Sequence, residues 1–176
     1  MILETDTPGL RLRPWQAADR LSLVEQANNR RIWRNLTGTF PSPYTEADAD
    51  FWIAHANRPT RSLHLAIDLE SQAVGAIGVI AGEDVYQRTG KFGYWLGEAF
   101  WGQGIVTAAG RALVAHLRSN GEFARLEAPV FAWNPASMRV LEKLGFAREG
   151  LLRDSVWKDD ELIDSVLYAL LISGEP

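Results

Sequence analysis

The stretch that decides the fold is WGQGIVTAAG, Trp101 to Gly110. Gly102 and Gly104 sit two apart, and small residues follow at helical spacing. Glycine inside a regular element costs roughly 0.5–1 kcal/mol relative to alanine, so a compensating interaction is expected here. A helix N-terminus carries unpaired N–H groups and the positive end of the peptide dipoles. A strand that turns through glycines into a helix offers those groups to an anion. Gly102 and Gly104 clear side chains from that approach, and Ala108 with Ala109 keeps the next turn slim. The residues therefore read as a phosphate cradle, and equally as a tight turn with close helix–sheet packing. A P-loop is excluded, because no Gly-Lys-Ser/Thr follows. The dinucleotide fingerprint G-x-G-x-x-G fails at Thr107.

Working upstream, Lys91 to Leu96 reads as a strand, preceded by a loop from Gly82 to Gly90. Leu63–Leu69 and Val74–Ala81 are two further strands joined by the polar turn Glu70-Ser71-Gln72. Thr45 has the pattern of an N-cap, with Asp48 three residues on and the helical run Ala49–Ala56 behind it. Thr37 to Tyr44 is a Gly/Pro loop, and Arg30–Leu36 is either a short turn or a continuation of the helix before it. That helix is Ala17–Asn28, with Leu21, Val24 and Ala27 on one face. Leu10–Arg13 alternates up to Pro14 and is the first strand.

Downstream, a helix runs to Arg118 with Ile105, Ala109, Ala112, Leu113, His116 and Leu117 on one stripe, and Ser119-Asn120-Gly121 ends it. Leu126–Trp133 is the fifth strand. The helix Pro135–Leu144 carries its own punctuation: Asn134 as N-cap, Pro135 at the first position, Gly145 and Phe146 as a Schellman-type stop. Two strands end the sequence, one beginning at Phe146 and one spanning Leu162–Leu171. Strands in hairpins and strands around helices together indicate one α/β domain with a mixed sheet.

Composition bounds the function. Apolar residues make up 47% and charged residues 23%, an ordinary globular balance that supports a packed core. The net charge of -4 argues against a broad nucleic-acid surface. There is no cysteine, which excludes disulfides, thiol nucleophiles and cysteine-ligated metals. His55, His64 and His116 show no metal-ligand spacing, and His116 reads as a packed core residue, so no metal is expected. The N-terminus lacks an apolar run suited to a signal segment and no stretch reaches the length of a membrane span. A cytoplasmic protein without membrane or nucleic-acid partners is expected.

Taken in order, LETDTPGLRLRPW, GYWLGEAFWGQGIVTAAGRAL, NPASMRVLEKLGF and LLRDSVWKDDELIDSVLYALL resemble the GNAT superfamily of acyl-CoA-dependent N-acyltransferases. The likeness is strongest to the branch that acetylates N-terminal amines of ribosomal proteins, and it covers essentially the whole sequence. It implies one α+β domain over residues 1–176. Its central sheet would be mixed and mostly antiparallel, with about seven strands, a splayed fourth and fifth pair, and about four helices. The family pattern R/Q-x-x-G-x-G/A falls on Trp101 to Val106. Gly104 matches, Trp101 replaces Arg/Gln, and Val106 replaces the last small residue. The resemblance implies that backbone N–H groups of Gly102, Gln103, Gly104, Ile105, Val106 and Thr107 hold the diphosphate of acetyl-CoA. It further implies that the pantetheine arm lies in the splay against Trp95 and Leu96, with Asn134, Ser137 and Arg139 contributing from the later helix. Lys143 reads as part of a solvated face. Pro129, inside the fifth strand, agrees with a strand lacking a partner on one side, as it would with a bulge or an edge.

The implied reaction is direct attack of a neutral primary amine on the thioester of acetyl-CoA within a ternary complex. It requires a proton acceptor for the amine, a donor for the oxyanion and a hydrogen bond for the leaving thiolate. By the resemblance, the Leu96 N–H polarises the carbonyl and Ser137 contacts the sulfur; local helix capping is the alternative for Ser137. Relatives often carry a glutamate at the position held here by Lys91. Glu83, Asp84, Glu98 or water then takes the proton. An α-amine, with a pKa of about 8 against about 10.4 for lysine, needs less help. Trp33 and Phe40 flank the loop that covers the acceptor in the family. A peptide N-terminus and a small amine both remain open as acceptor, as does a homodimer. The competing class is a non-catalytic acyl-CoA-binding or interaction module on the same fold.

Overall fold

The first strand is one that hydropathy does not announce. Leu3–Glu4 (β1) pairs antiparallel with Leu10–Arg13 (β2), Leu3 opposite Leu12. Two residues are too short for any periodic signal, and β1 raises the strand count to eight where about seven are expected. The computed structural model describes residues 1–173; residues 174–176 of the expected 1–176 domain lie outside the described residues.

From β2 the backbone makes one 3-10 turn, Ala17–Asp19, and enters α1 (Arg20–Ala27) and then the single turn α2 (Arg30–Trp33). With α3 (Glu46–Ala56), α4 (Ile105–Asn120) and α5 (Pro135–Lys143), five helices form among the described residues where about four are expected. The capping box is present: the Thr45 hydroxyl accepts from the Asp48 N–H and the Asp48 carboxylate accepts from the Thr45 N–H. The remaining strands are β3 (Leu63–Leu69), β4 (Gln72–Ala81), β5 (Thr89–Leu96), β6 (Arg125–Phe131), β7 (Ala147–Lys158) and β8 (Glu161–Leu171). They build one sheet in the order β1-β2-β3-β4-β5-β6-β8-β7. Every neighbouring pair is antiparallel except β5 and β6.

Helices cover both faces. On one, Leu23 and Ala27 of α1 and Ala49 of α3 pack with Trp15, Tyr44, Ala66 and Ala76. On the other, Ile105, Ala109, Leu113 and Leu117 of α4 meet Leu12, Ile67, Ile77, Phe92 and Leu126. Two expectations change here. Leu21 is 66% exposed and Leu23 is the buried residue, because α1 turns Leu23 and Ala27, four apart, onto the sheet. His116 is only half-buried and lies in the last turns of α4, where its Nε2 sits 3.0 Å from Asn120 Nδ2. It is not a core residue.

Buried charge is concentrated in one triad. Arg13 Nη1 and Nη2 donate to the Asp19 carboxylate at 2.7 and 2.8 Å, and its Nε donates to Asp68. The hydrogen bonds to Asp19 hold the guanidinium well above its ordinary pKa against the opposing effect of burial. The triad ties β2, the turn into α1 and β3 together.

Candidate active site

Gly102 and Gly104 adopt φ of +77° and +79°, the left-handed region that L side chains rarely enter. No atom lies within 4 Å of where a Cβ would stand on either residue, so handedness rather than crowding demands glycine. The Trp101 N–H bonds Glu98 C=O at 3.1 Å, and the first helical bond of α4 is Ala108 N–H to Gly104 C=O at 3.0 Å. Between them, the backbone N–H groups from Gly102 to Thr107 meet no acceptor among the described residues. They crowd at the positive end of a helix of 16 residues. Ala108 and Ala109 are buried behind them as expected, and Gly110 allows Leu144 to close onto α4: a Cβ there would stand 2.6 Å from Leu144 Cδ1.

The gap beside this cradle follows from strand register. β5 and β6 pair in parallel only over Thr89–Lys91 and Arg125–Glu127, then part. In antiparallel pairing, alternate residues turn their N–H and C=O to opposite sides. Gly82 N–H bonds Thr89 C=O and Gly97 N–H bonds Val74 C=O, so the odd residues of β5 face β4. Phe92, Tyr94 and Leu96 therefore turn their backbones into the gap. On the other side, Ile172 N–H bonds Ala124 C=O and Ala132 N–H bonds Asp164 C=O, so even residues of β6 face β8. Pro129 is odd: the N–H it lacks would point into the gap, where no ladder needs it.

Four side chains finish this side. Trp101 Nε1 donates to the Leu96 C=O at 2.7 Å, which leaves the Leu96 N–H as the group free for a ligand. Asn134 caps α5, its Oδ1 accepting from the Ser137 N–H at 3.2 Å. The Ser137 hydroxyl takes no part in that cap. Its Oγ lies 2.7 Å from the Tyr94 hydroxyl, which also donates to the Ser137 C=O at 3.1 Å. Burial pushes the Tyr94 phenol up to about 12.

A cleft of about 1670 Å³ runs from the α4 and α5 N-termini through the gap to the opposite face, beneath α3 and the loop Thr37–Tyr44. Trp95 also lines the cleft, on that far side. Its odd register turns its backbone to β4, and its indole meets Phe40 edge-on at 5.8 Å. Phe40 lines the cleft as expected; Trp33 does not, and instead lies under Lys158 Nζ at 3.4 Å. Lys91, Glu83 and Asp84 line the cleft, whereas Glu98 is bound by Arg31 and by Asn29 Nδ2. Arg139 and Lys143 also line it from α5.

Sequence reasoning misses Tyr94, the donor role of Trp101, and His64. The alternation in Lys91–Leu96 already separates Tyr94 from Trp95 by face, but its partner Ser137 is remote in sequence. His64 stands opposite Gly78, which stands opposite Gly93, so a floor without side chains runs from His64 to β5. Burial, and then the neighbouring charge of His55, push the His64 pKa below its ordinary value.

The model of the acetyltransferase (GNAT) domain matches residues 9–147. The ribosomal-protein-serine acetyltransferase of Escherichia coli (strain K12) is 34% identical over 106 residues, which is 60% of this chain and 59% of that protein. The probable N-acetyltransferase YjcK of Bacillus subtilis (strain 168) is 40% identical over 81 residues, 43% of this chain and 45% of that one. The matches thus span about half the length of these relatives. Among solved structures, the RimL ribosomal L7/L12 alpha-N-protein acetyltransferase in complex with coenzyme A superposes with a TM-score of 0.87 at 20% identity, covering 99% of this chain and all of that one. The microcin C7 self-immunity acetyltransferase MccE, in complex with acetyl-CoA and AMP, gives a TM-score of 0.81 at 24% identity over 94% of both chains. Likeness at this identity speaks for the fold.

Proposed function

The chain belongs to the acetyltransferase (GNAT) family, and from that premise we propose that it is an acetyltransferase, together with the substrates and the residues that serve them. Acetyl-CoA donates its acetyl group to a primary amine by direct attack in a ternary complex. The single eight-stranded sheet of the described residues supports reading them as one domain.

One observation carries this reading: the unpaired N–H groups from Gly102 to Thr107 converge at the N-terminus of α4, beside the gap between β5 and β6. A diphosphate supplies the acceptors they lack. Gly102, Gln103, Gly104, Ile105, Val106 and Thr107 would hold it. Arg139, exposed on the cleft wall, adds positive charge for an outer phosphate. The pantetheine arm would replace the missing sheet partner of Tyr94 and Leu96. Asn134 contributes by holding the first turn of α5 in place, since its Oδ1 is already committed.

The chemistry then divides among three groups. The Leu96 N–H, free while Trp101 holds its carbonyl, polarises the thioester and binds the oxyanion as it forms. The Ser137 hydroxyl donates a hydrogen bond to the departing sulfur. The attacking amine arrives from the face of Phe40 and Trp95 and loses its proton to water or, through water, to Glu83 or Asp84, which line the cleft. A lysine at position 91 and an ion-paired Glu98 leave no carboxylate base on β5 or its following turn, which favours an α-amine over a lysine side chain. A peptide N-terminus and a small α-amine both fit that requirement. A homodimer would use β7, the sheet edge, where Leu151, Leu152 and Trp157 are exposed.

Calorimetry with coenzyme A, followed by acetyl transfer to matched α-amine and ε-amine acceptors across pH, tests the reading. Micromolar binding with faster transfer to the α-amine at neutral pH is expected. No uptake of coenzyme A at millimolar levels would end it. Tight uptake without transfer to any amine would make the protein a binding module.

A further inference from the structure

Tyr94 has a function that its burial alone does not require. Its hydroxyl lies 2.7 Å from Ser137 Oγ and 3.1 Å from the Ser137 C=O, so one phenol faces two acceptors on a single residue. Both residues line the cleft, and the backbone of Tyr94 faces the gap. The pair can satisfy itself in only two ways. In one, Ser137 Oγ donates to the Tyr94 oxygen while Tyr94 donates to the Ser137 C=O. In the other, Tyr94 donates to Ser137 Oγ, and the serine proton is free to point elsewhere.

We propose that these two arrangements are the resting and the reacting states of a hydroxyl switch, in which Tyr94 turns its O–H onto Ser137 Oγ as the thiolate of coenzyme A leaves, freeing the serine O–H for the sulfur. This rests on the reading of Ser137 as the sulfur contact. As the tetrahedral intermediate collapses, the C–S bond breaks and its electron pair stays on sulfur. The proton lost by the amine reaches that sulfur through water. Ser137 and Tyr94 keep their own protons throughout and supply hydrogen bonds. A phenol held near 12 is a weaker acid than an ordinary thiol at about 8.5, so it donates a bond rather than a proton. The bond from Tyr94 polarises the serine O–H and strengthens its hold on the charge. Because the charge exists only once the bond breaks, the interaction lowers the barrier more than it favours bound substrate. Tyr94 is a positioning residue, acting on the sulfur only through Ser137.

The thiol of bound coenzyme A reports this directly, without any amine. Its ionisation is followed by the ultraviolet absorbance of the thiolate in complexes of the unmodified protein, Tyr94→Phe, Ser137→Ala, the double variant and Ser137→Thr. The thiol should ionise about one pH unit lower on the unmodified protein than in free coenzyme A. Tyr94→Phe should return about half of that shift, and Ser137→Ala most of it. The double variant should match Ser137→Ala, and Ser137→Thr, which keeps a hydroxyl, should resemble the unmodified protein. A Tyr94→Phe titration identical to the unmodified protein overturns the switch. So does an effect of Tyr94→Phe that persists in full once Ser137 is alanine, as a packing role would. If Ser137→Ala changes nothing, the sulfur contact itself is wrong, and the switch falls with it.

Discussion

The indole Nε1 of Trp101 donates to the backbone carbonyl of Leu96 across 2.7 Å, and so links the glycine turn to the last residue of β5. Replacing the family's Arg/Gln with tryptophan thus leaves the cradle's N–H groups untouched and adds a brace to the strand that borders the gap. Trp101→Phe keeps the ring and removes the donor. We expect a stability loss of about 1 kcal/mol in urea unfolding. We also expect kcat to fall severalfold while the affinity for coenzyme A changes little. An equal effect on affinity would assign Trp101 to the cofactor rather than to Leu96.

Gly104 has φ of +79° and Gly121, at the other end of α4, has φ of +63°. Alanine at either site carries a comparable left-handed cost of about 1–2 kcal/mol. Only Gly104 lies in the cradle. Calorimetry should show coenzyme A binding at least tenfold weaker for Gly104→Ala and nearly unchanged for Gly121→Ala. Equal losses would mean that general destabilisation, not the cradle, is being measured.

Asp68 is 1% exposed and accepts from Arg13 Nε and from the Ser71 N–H. Asp68→Ala leaves the buried guanidinium with one carboxylate instead of two. Breaking a buried pair by removing one partner typically costs about 3–5 kcal/mol. Chemical denaturation should register a loss near the lower bound, because Asp19 still holds Nη1 and Nη2 at 2.7 and 2.8 Å. A change below about 0.5 kcal/mol would show that water reaches the site.

His64 carries a pH dependence whose sign is set by its lowered pKa. The folded protein binds this proton less readily than the unfolded state does. Its contribution is therefore full above the unfolded pKa of about 6.5 and is lost as the pH falls toward the lower folded value. The rings of His55 and Trp52 from α3 pack against it, and charged groups lining the same cleft include Arg58, Arg61, Lys91, Asp48, Glu83 and Asp84. Thermal midpoints measured from pH 7.5 to pH 5 should decline less steeply for His64→Gln than for the unmodified protein. Parallel curves would remove His64 as the cause.

The parts of this molecule written as short-range chemistry are legible in the residues themselves. The capping box of Thr45 and Asp48, the Asn134 cap with Pro135 behind it, and the strand Leu63–Leu69 all form where local pattern places them. Each is decided within a few residues, by a side chain that satisfies a nearby N–H or by alternation along a pleat. The glycine turn is legible for the same reason, since a left-handed backbone is a local demand. Leu21 shows the limit: two leucines two apart on a short helix both suit a core, and only docking on the sheet selects Leu23.

By itself, then, the amino-acid order settled most of the elements, though not β1 or α2, together with the mixed sheet and the helix whose N-terminus is bared by glycine. Tertiary structure decided where β5 and β6 part, that Tyr94 meets Ser137, that Trp95 packs on Phe40 and that Trp33 lies under Lys158. The physical reason is register. A one-residue change in how two strands align exchanges the groups that face the gap for those that face the next strand, and that alignment is set by packing between residues far apart in sequence.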